Sequence, residues 1–322
     1  LPARTARAIL LASRREATLS EVGDLSDSAI LQRFERIRSW SRGDARAPHK
    51  PLLVLLALAG LQADTTRLAY RDVASKLKSL IEDFGPQGAP ARPQYPFWRL
   101  RNDGDLWVVD AEVSLKAEEN SAGDMSDGVL RTRDATGGFS PALAAVLRSR
   151  PSLLNEAARV VLEGNFPESL HSDILDAVGF QWQALTDRPI ARRSPEFRKT
   201  VLRIYECRCA MCGFNARLGN SNMGVEAAHV RWHSAGGPDA PENGVCLCSL
   251  HHKAFDSGAL TVDADLRIQV SEHLTGAGPI VESMLALAGT PLARPLRGQR
   301  TVEQTFAEWH GRFVFKGPPR AA

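Results

Sequence analysis

Cys209-Ala210-Met211-Cys212, then Glu226-Ala227-Ala228-His229, then Asn243, then Cys248-Ser249-Leu250-His251-His252-Lys253-Ala254-Phe255-Asp256, follow one another in the second half of the chain. A tetrahedral structural zinc needs four soft or borderline ligands. Two short hooks from distant segments, C-x-x-C and C-x-x-H, supply them as Cys209, Cys212, Cys248 and His251. Cys246 can replace Cys248 as a ligand, and Cys207 is the odd one out. All five cysteines fall between Cys207 and Cys248. An odd count, two tight clusters and interleaved histidines argue for a metal site in a reducing compartment rather than for disulfides.

Working outward, 322 residues suffice for two domains, each with its own core. Apolar residues at 43% and charged residues at 24% are ordinary globular usage and exclude a largely disordered chain. With Lys+Arg 40 against Asp+Glu 37, the net charge of +3 does not by itself point to a polyanionic partner, so any nucleic-acid signal must come from local clusters. The longest apolar run, Pro51 to Ala63, falls short of the ~20 residues of a membrane span. Ala8 to Ala12 is too short for a secretory core. The expectation is a soluble cytoplasmic protein with no membrane partner.

Apolar spacing predicts an amphipathic helix over Ser26 to Trp40 and a buried helix over Leu52 to Leu61, with His49 and Lys50 at its start between Pro48 and Pro51. A further helix over Val73 to Phe84 ends at Gly85 and Pro86. The proline-rich stretch Gly85 to Pro96 reads as an exposed loop. Tyr95 to Leu100 and Leu106 to Val109, around Asn102-Asp103-Gly104, read as a β-hairpin. Asp134 to Phe139 reads as a glycine-rich loop, and Pro141 opens a helix to about Arg148. Leu153 to Leu162 and Ser169 to Val178 read as a helix pair. Arg188, Arg192, Arg193, Arg198, Lys199 and Arg203 form a basic stretch, and the tail beyond Gly276, with Trp309 and His310, has no assigned role. The fold class is α+β: residues 1–150 form a mixed helix and hairpin domain, 151–186 a helical connector, and 187–322 a zinc-braced domain.

The region around the zinc hooks resembles the HNH, or ββα-metal, nuclease family. His229 matches the first motif histidine, Asn243 the asparagine and His252 the last histidine, with the family's intervals of fourteen and nine residues kept. Phosphodiester hydrolysis needs a base for water and a cation for the charge that gathers on the phosphoryl and leaving oxygens. His229 suits the base, because a neutral imidazole accepts a proton near pH 7. The resemblance implies that Asn243 orients His229 or its loop. His252 and Asp256, four residues apart on a helix, share a face and can hold one divalent ion, Mg or Mn. Many family members carry Asp or His just before the base, where this chain has Ala228. Glu226 either helps to hold the ion or pairs with Arg231 across a turn. His233 is a loop residue or a phosphate contact.

The first half carries a second resemblance. Arg46-Ala47-Pro48-His49-Lys50-Pro51-Leu52-Leu53 and Arg92-Pro93-Gln94-Tyr95-Pro96-Phe97-Trp98-Arg99-Leu100, followed by Asn102-Asp103-Gly104 and Trp107, resemble the sulfur-binding domain of phosphorothioate-dependent type IV restriction endonucleases. Those enzymes join such a domain to an HNH nuclease. Sulfur in place of a phosphate oxygen is larger, more polarizable and less strongly hydrated, so an apolar dent walled by Tyr95 and Pro96 can favour it. The group stays anionic, and His49, Lys50, Arg92 and Arg99 are the cationic candidates beside it. The loop from Gln87 to Gln94 can reach base edges in the major groove. Phe97 and Trp107 are expected in the core.

The resemblances together imply a modification-dependent endonuclease that binds phosphorothioated double-stranded DNA and uses a structural zinc and a catalytic divalent cation. One site per chain cuts one strand, so a double-strand break needs a homodimer or two visits. The rival readings are an HNH nuclease dependent on methylcytosine or on no mark, and a non-catalytic zinc-containing DNA-binding protein.

Overall fold

The computed structural model describes residues 26–37, 40–42, 45–85, 90–110, 112–182 and 195–321. The expectations on the first 25 residues, on Gln87, and on Arg188, Arg192 and Arg193 lie outside the described residues.

Apolar patterning builds the first core. The helix Asp27–Glu35 begins at Ser26, whose hydroxyl accepts the Ala29 N–H at 3.2 Å, and it buries Ile30 and Phe34. It stops short of the expected Trp40, which starts a strand, Trp40–Arg42, paired with Ala45–Ala47. The helix His49–Gln62 buries every residue from Pro51 to Ala59. A helix apolar all round is stable only when enclosed, and here neighbouring helices enclose it. Tyr70–Phe84 is amphipathic and turns Ala74, Leu77, Leu80 and Ile81 inward. The helices Pro151–Asn165 and His171–Val178, expected as a connector, bury Leu154, Ala158, Val161, Ile174 and Val178 in this same core.

Two local expectations are corrected here. Tyr95 to Leu100 is not a strand, because Gln94–Arg99 is a helix that continues into the tight turn Leu100–Asn102. Pro93 already has helical φ −62° and ψ −25°, and Pro96 falls in the first turn, where a missing N–H costs no intrahelical bond. Phe97, Trp98 and Leu100 form too short an apolar run for periodicity to separate helix from strand. The stretch read as a glycine-rich loop is the middle strand, Thr136–Phe139, of an antiparallel sheet between Leu68–Ala69 and Trp107–Val109. A Cβ at Gly137 would stand 2.8 Å from Cζ2 of Trp107 and 3.0 Å from Cζ of Phe97, so its absence lets two rings lie against the strand. Phe97 packs edge-on against both Trp107 and Tyr70.

The second core runs from Phe197 to Ala307. At its centre Val225–His229 pairs with Gly244–Cys248, with Val225 opposite Cys248 and His229 opposite Gly244. The helix Ser249–Asp256 follows at once, completing ββα. The tail helix Gln304–Phe313 covers the back of that unit: the wholly buried His310 ring stacks on Phe255 at 3.7 Å, and its Nδ1 hydrogen-bonds with the Thr261 hydroxyl at 2.8 Å. Burial pushes His310 down to about 3, so it is a neutral packing residue. Among the described residues, no helix is long and apolar enough to cross a membrane.

Candidate functional site

The first hook is a turn in which the Gly213 N–H donates to the Cys209 carbonyl at 2.8 Å and the Cys209 N–H donates to the Phe214 carbonyl at 2.9 Å. The Ala210 N–H docks this turn on the Cys246 carbonyl of the central hairpin. Cys248 precedes the helix Ser249–Asp256, and His251 lies in its first turn. The donor atoms of Cys209, Cys212, Cys248 and His251 all lie within 4.8 Å of one another, and no other group of three or more potential ligands gathers this way among the described residues. Nδ1 of His251 is 3.0 Å from the Cys248 sulfur and 3.7 Å from that of Cys209.

Three thiols in contact cannot all ionise without a cation. Cys209 is held well below the usual thiol range by hydrogen bonding with Cys248 and, against burial, with His251. Cys248 is pushed up by its bond to Cys209 and by burial, and Cys212 is pushed up chiefly by burial. Zinc, at about 2.3 Å from sulfur and 2.0–2.1 Å from nitrogen, fits a quartet of this size and chemistry. Cys246 stands outside the quartet, buried and pushed up to about 12 by that burial.

His229 ends the first hairpin strand, buried, with its ring stacked on Phe197 at 4.1 Å and 16°. Its Nε2 lies 2.8 Å from Oδ1 of Asp239, a residue the sequence reading did not single out. Asn243 acts on the loop rather than on the ring. Its Oδ1 accepts the Arg231 N–H at 2.7 Å, and its Nδ2 donates to the carbonyls of Arg231 and Pro238 at 2.9 and 3.0 Å. The loop is drawn so tight that a Cβ on Gly237 would fall 1.9 Å from the Arg231 carbonyl oxygen and 2.7 Å from Nδ2 of Asn243.

His252 lies between two carboxylates. Nδ1 is 2.6 Å from Oε2 of Glu226 and Nε2 is 3.1 Å from Oδ2 of Asp256. Burial opposes its protonation, but Asp256 and then Glu226 outweigh burial and raise it to about 9. Glu226 also accepts from the Ser249 hydroxyl at 2.7 Å, so it serves the helix, and the alternative of a bond to Arg231 is not what forms. Asp256 accepts from Nε1 of Trp232 at 3.1 Å and from the Ser169 hydroxyl. Lys253 pairs with Asp173 at 2.5 Å and donates to the Ser169 carbonyl. Ser169 and Asp173 belong to the segment that builds the first core, so the two halves of the chain meet on this helix. No local sequence pattern marks such a contact.

In the first half, the helices His49–Gln62 and Gln94–Arg99 pack against each other and bring the other candidates to one region. Burial pushes His49 down to about 4, so it is a neutral imidazole near pH 7 and not the cation expected from sequence. Its Nε2 is buried without a hydrogen-bond partner among the described residues. Lys50 is held by Asp103, which is half-buried, at 2.7 Å, and Arg99 by the buried Asp124 at 2.5 and 2.6 Å. Arg92 is exposed and donates to the Tyr95 hydroxyl at 2.9 Å, while the Arg99 guanidinium lies 4.5 Å from the Tyr95 ring centre. Tyr95 is half-buried and Pro96 is buried.

A ββα unit with a thiol–imidazole hook at its entrance and His229, Asn243 and His252 in order defines a nuclease of the HNH class, here joined to a second folded domain. Comparison with known proteins is specific for both parts. Residues 27–183 match the family of ScoMcrA-like DNA sulfur-binding domains, and residues 209–263 match the HNH endonucleases. The first match ends at residue 183, just past Phe180, the last buried residue of the first core. The chain therefore joins a ScoMcrA-like DNA sulfur-binding domain to an HNH endonuclease domain.

No curated protein matches this chain. Among solved structures, the sulfur-binding domain of ScoMcrA complexed with phosphorothioated DNA is 25% identical, with a TM-score of 0.41, covering 47% of this chain and 94% of that one. The type IV phosphorothioation-dependent restriction endonuclease ScoMcrA is 26% identical, with a TM-score of 0.40, covering 46% of this chain and only 32% of that one. The modification-dependent TagI restriction endonuclease is 26% identical, with a TM-score of 0.30 and 38% of each chain covered.

Proposed function

We propose that this protein is a phosphorothioate-dependent DNA endonuclease that hydrolyses phosphodiester bonds near the modified linkage and so restricts foreign modified DNA. The observation that carries the reading is that a domain of the sulfur-binding family shares hydrogen bonds, through Ser169 and Asp173, with the helix that presents His252 and Asp256. Reader and nuclease are one bonded unit.

In this reading Tyr95 and Pro96 wall the dent that takes sulfur. His49 donates from Nε2 as a neutral group, and Lys50 and Arg99 are positioned cations whose charge is moderated by Asp103 and Asp124. Arg92 is the exposed cation that meets backbone first. In the nuclease half His229 takes the proton of the attacking water, and Asn243 closes the loop behind it. His252 and Asp256, with donor atoms 3.1 Å apart, match adjacent corners of an octahedron with bonds of about 2.1 Å and would hold Mg or Mn. When bound, that ion supplies charge stabilisation at the scissile phosphate. Cys209, Cys212, Cys248 and His251 would hold zinc, whose contribution is to folding. With one site per chain, cutting both strands takes a homodimer or two visits.

The test is paired oligoduplexes identical except for one sulfur atom, incubated with Mg(II) or Mn(II). Cleavage and tighter binding of the sulfur-bearing duplex alone are expected. Equal binding and cutting of both duplexes would remove the phosphorothioate reading in favour of another mark or none. Binding without cleavage would leave a non-catalytic DNA-binding protein.

A further inference from the structure

The carboxylate of Asp239 sits at the closed end of the loop that follows His229, 2.8 Å from Nε2 of that ring. A carboxylate accepts hydrogen bonds and does not donate, so Nε2 carries the proton and Nδ1 is left as the basic nitrogen. The ring lies flat on the Phe197 face at 4.1 Å, so the plane in which Nε2 meets the carboxylate is held by packing. His233, on the same loop, faces the ring from 5.8 Å. Asp239 is itself held from both sides: Nδ2 of Asn243 donates to the Pro238 carbonyl at 3.0 Å, and the Asn243 N–H donates to the Ala240 carbonyl at 2.9 Å. Asn243 thus fixes the loop, and the loop fixes the carboxylate.

We propose that Asp239 is the positioning residue for His229, setting its tautomer and stabilising the imidazolium it becomes. The inference rests on His229 being the base of the nuclease reading above. In the step concerned, one proton of water passes to Nδ1 while the electron pair of that O–H bond stays on oxygen. That oxygen bonds to phosphorus, the bond to the leaving oxygen breaks, and the departing oxygen takes a proton from solvent. The positive charge created on the ring faces the Asp239 carboxylate across the Nε2–H bond, which a backbone carbonyl or a neutral amide would stabilise less.

Full-length wild type, Asp239→Asn, Asp239→Ala, Asp239→Glu and His229→Ala are compared for cleavage kinetics, zinc content and melting. At neutral pH Asp239→Asn is expected to lower kcat by about 10- to 100-fold with KM for DNA unchanged. It should also move the acid limb of the pH–rate profile to lower pH, because a base deprived of its carboxylate gives up its proton more readily. Asp239→Glu should recover part of the rate. Independently of activity, nitrogen NMR of the DNA-free protein should show His229 as the Nε2–H tautomer in wild type and as a tautomer mixture in Asp239→Ala. An unchanged kcat and acid limb in a folded, zinc-loaded Asp239→Asn, a loss confined to KM, or an unchanged tautomer in Asp239→Ala would overturn the proposal. Full cleavage by His229→Ala would instead overturn the underlying base assignment, and the tautomer measurement keeps the two failures apart.

Discussion

The helix Ser249–Asp256 carries two donor sets with opposite needs. At its start Cys248 and His251, with Cys209 and Cys212, form a quartet in which one thiol is pushed toward its charged form and the two others away from it. One turn apart along it, His252 and Asp256 are satisfied by other groups of the chain: Glu226, Trp232 and Ser169. The first set is incomplete without a cation and should require one to fold. The second is stable alone and should take up an ion reversibly, as a reaction centre must. In the proposed function, one short helix would thereby separate a metal that builds the domain from one that does its chemistry.

The comparison breaks most readily at the quartet. Cys209→Ser should abolish cooperative melting of the nuclease half and its zinc content together, because structural zinc contributes folding free energy directly. Near-normal melting with zinc retained would contradict that. Asp256→Asn should leave zinc and fold in place, since the amide oxygen can still accept from Trp232 while its NH2 group donates to the Ser169 hydroxyl oxygen. It should weaken Mg(II) or Mn(II) binding by about 10- to 100-fold, read by titration calorimetry. Loss of zinc in this variant would erase the distinction between the two donor sets.

A pH series sharpens the same contrast. The folded-state value of His252, about 9, lies above its ordinary 6.5. Its contribution to stability is therefore complete below about pH 6.5 and is lost as pH rises through about 9. Zinc-loaded protein without the second ion should melt at progressively lower temperature across that window, and His252→Gln should flatten the trend. Binding of the second ion expels the same proton, so its apparent affinity should rise over the same range. The smallest effect is expected from Ser169→Ala, which removes one hydrogen bond to a buried carboxylate and should cost about 1–3 kcal/mol of stability by denaturant titration. An effect near zero would show that Trp232 and His252 suffice to hold Asp256.

The quartet and the order of His229, Asn243 and His252 were legible in sequence because their chemistry depends on short, local spacings. The start of the helix His49–Gln62 was legible too, since Pro48 and Pro51 bracket it and an apolar run follows. Tyr95 to Leu100 misled because six residues fit either period, and prolines that look like breakers fall where a helix tolerates them. Gly137 looked like loop because its reason, the Trp107 ring, comes from thirty residues away in the chain. Asp239 and Ser169 left no signal at all. Their importance arises only when Asn243 closes one loop and two cores meet on one helix.

The most direct test of the separation between folding metal and reaction ion uses purified full-length protein exchanged into buffer free of magnesium and manganese. Bound zinc, melting temperature and cleavage of a phosphorothioated duplex are measured on the same sample. Zinc should stay bound and melting should stay unchanged, while cleavage disappears and returns when Mg(II) or Mn(II) is added. Cleavage that persists with zinc as the sole metal, or melting that collapses when the exchangeable ion is withdrawn, would contradict the account.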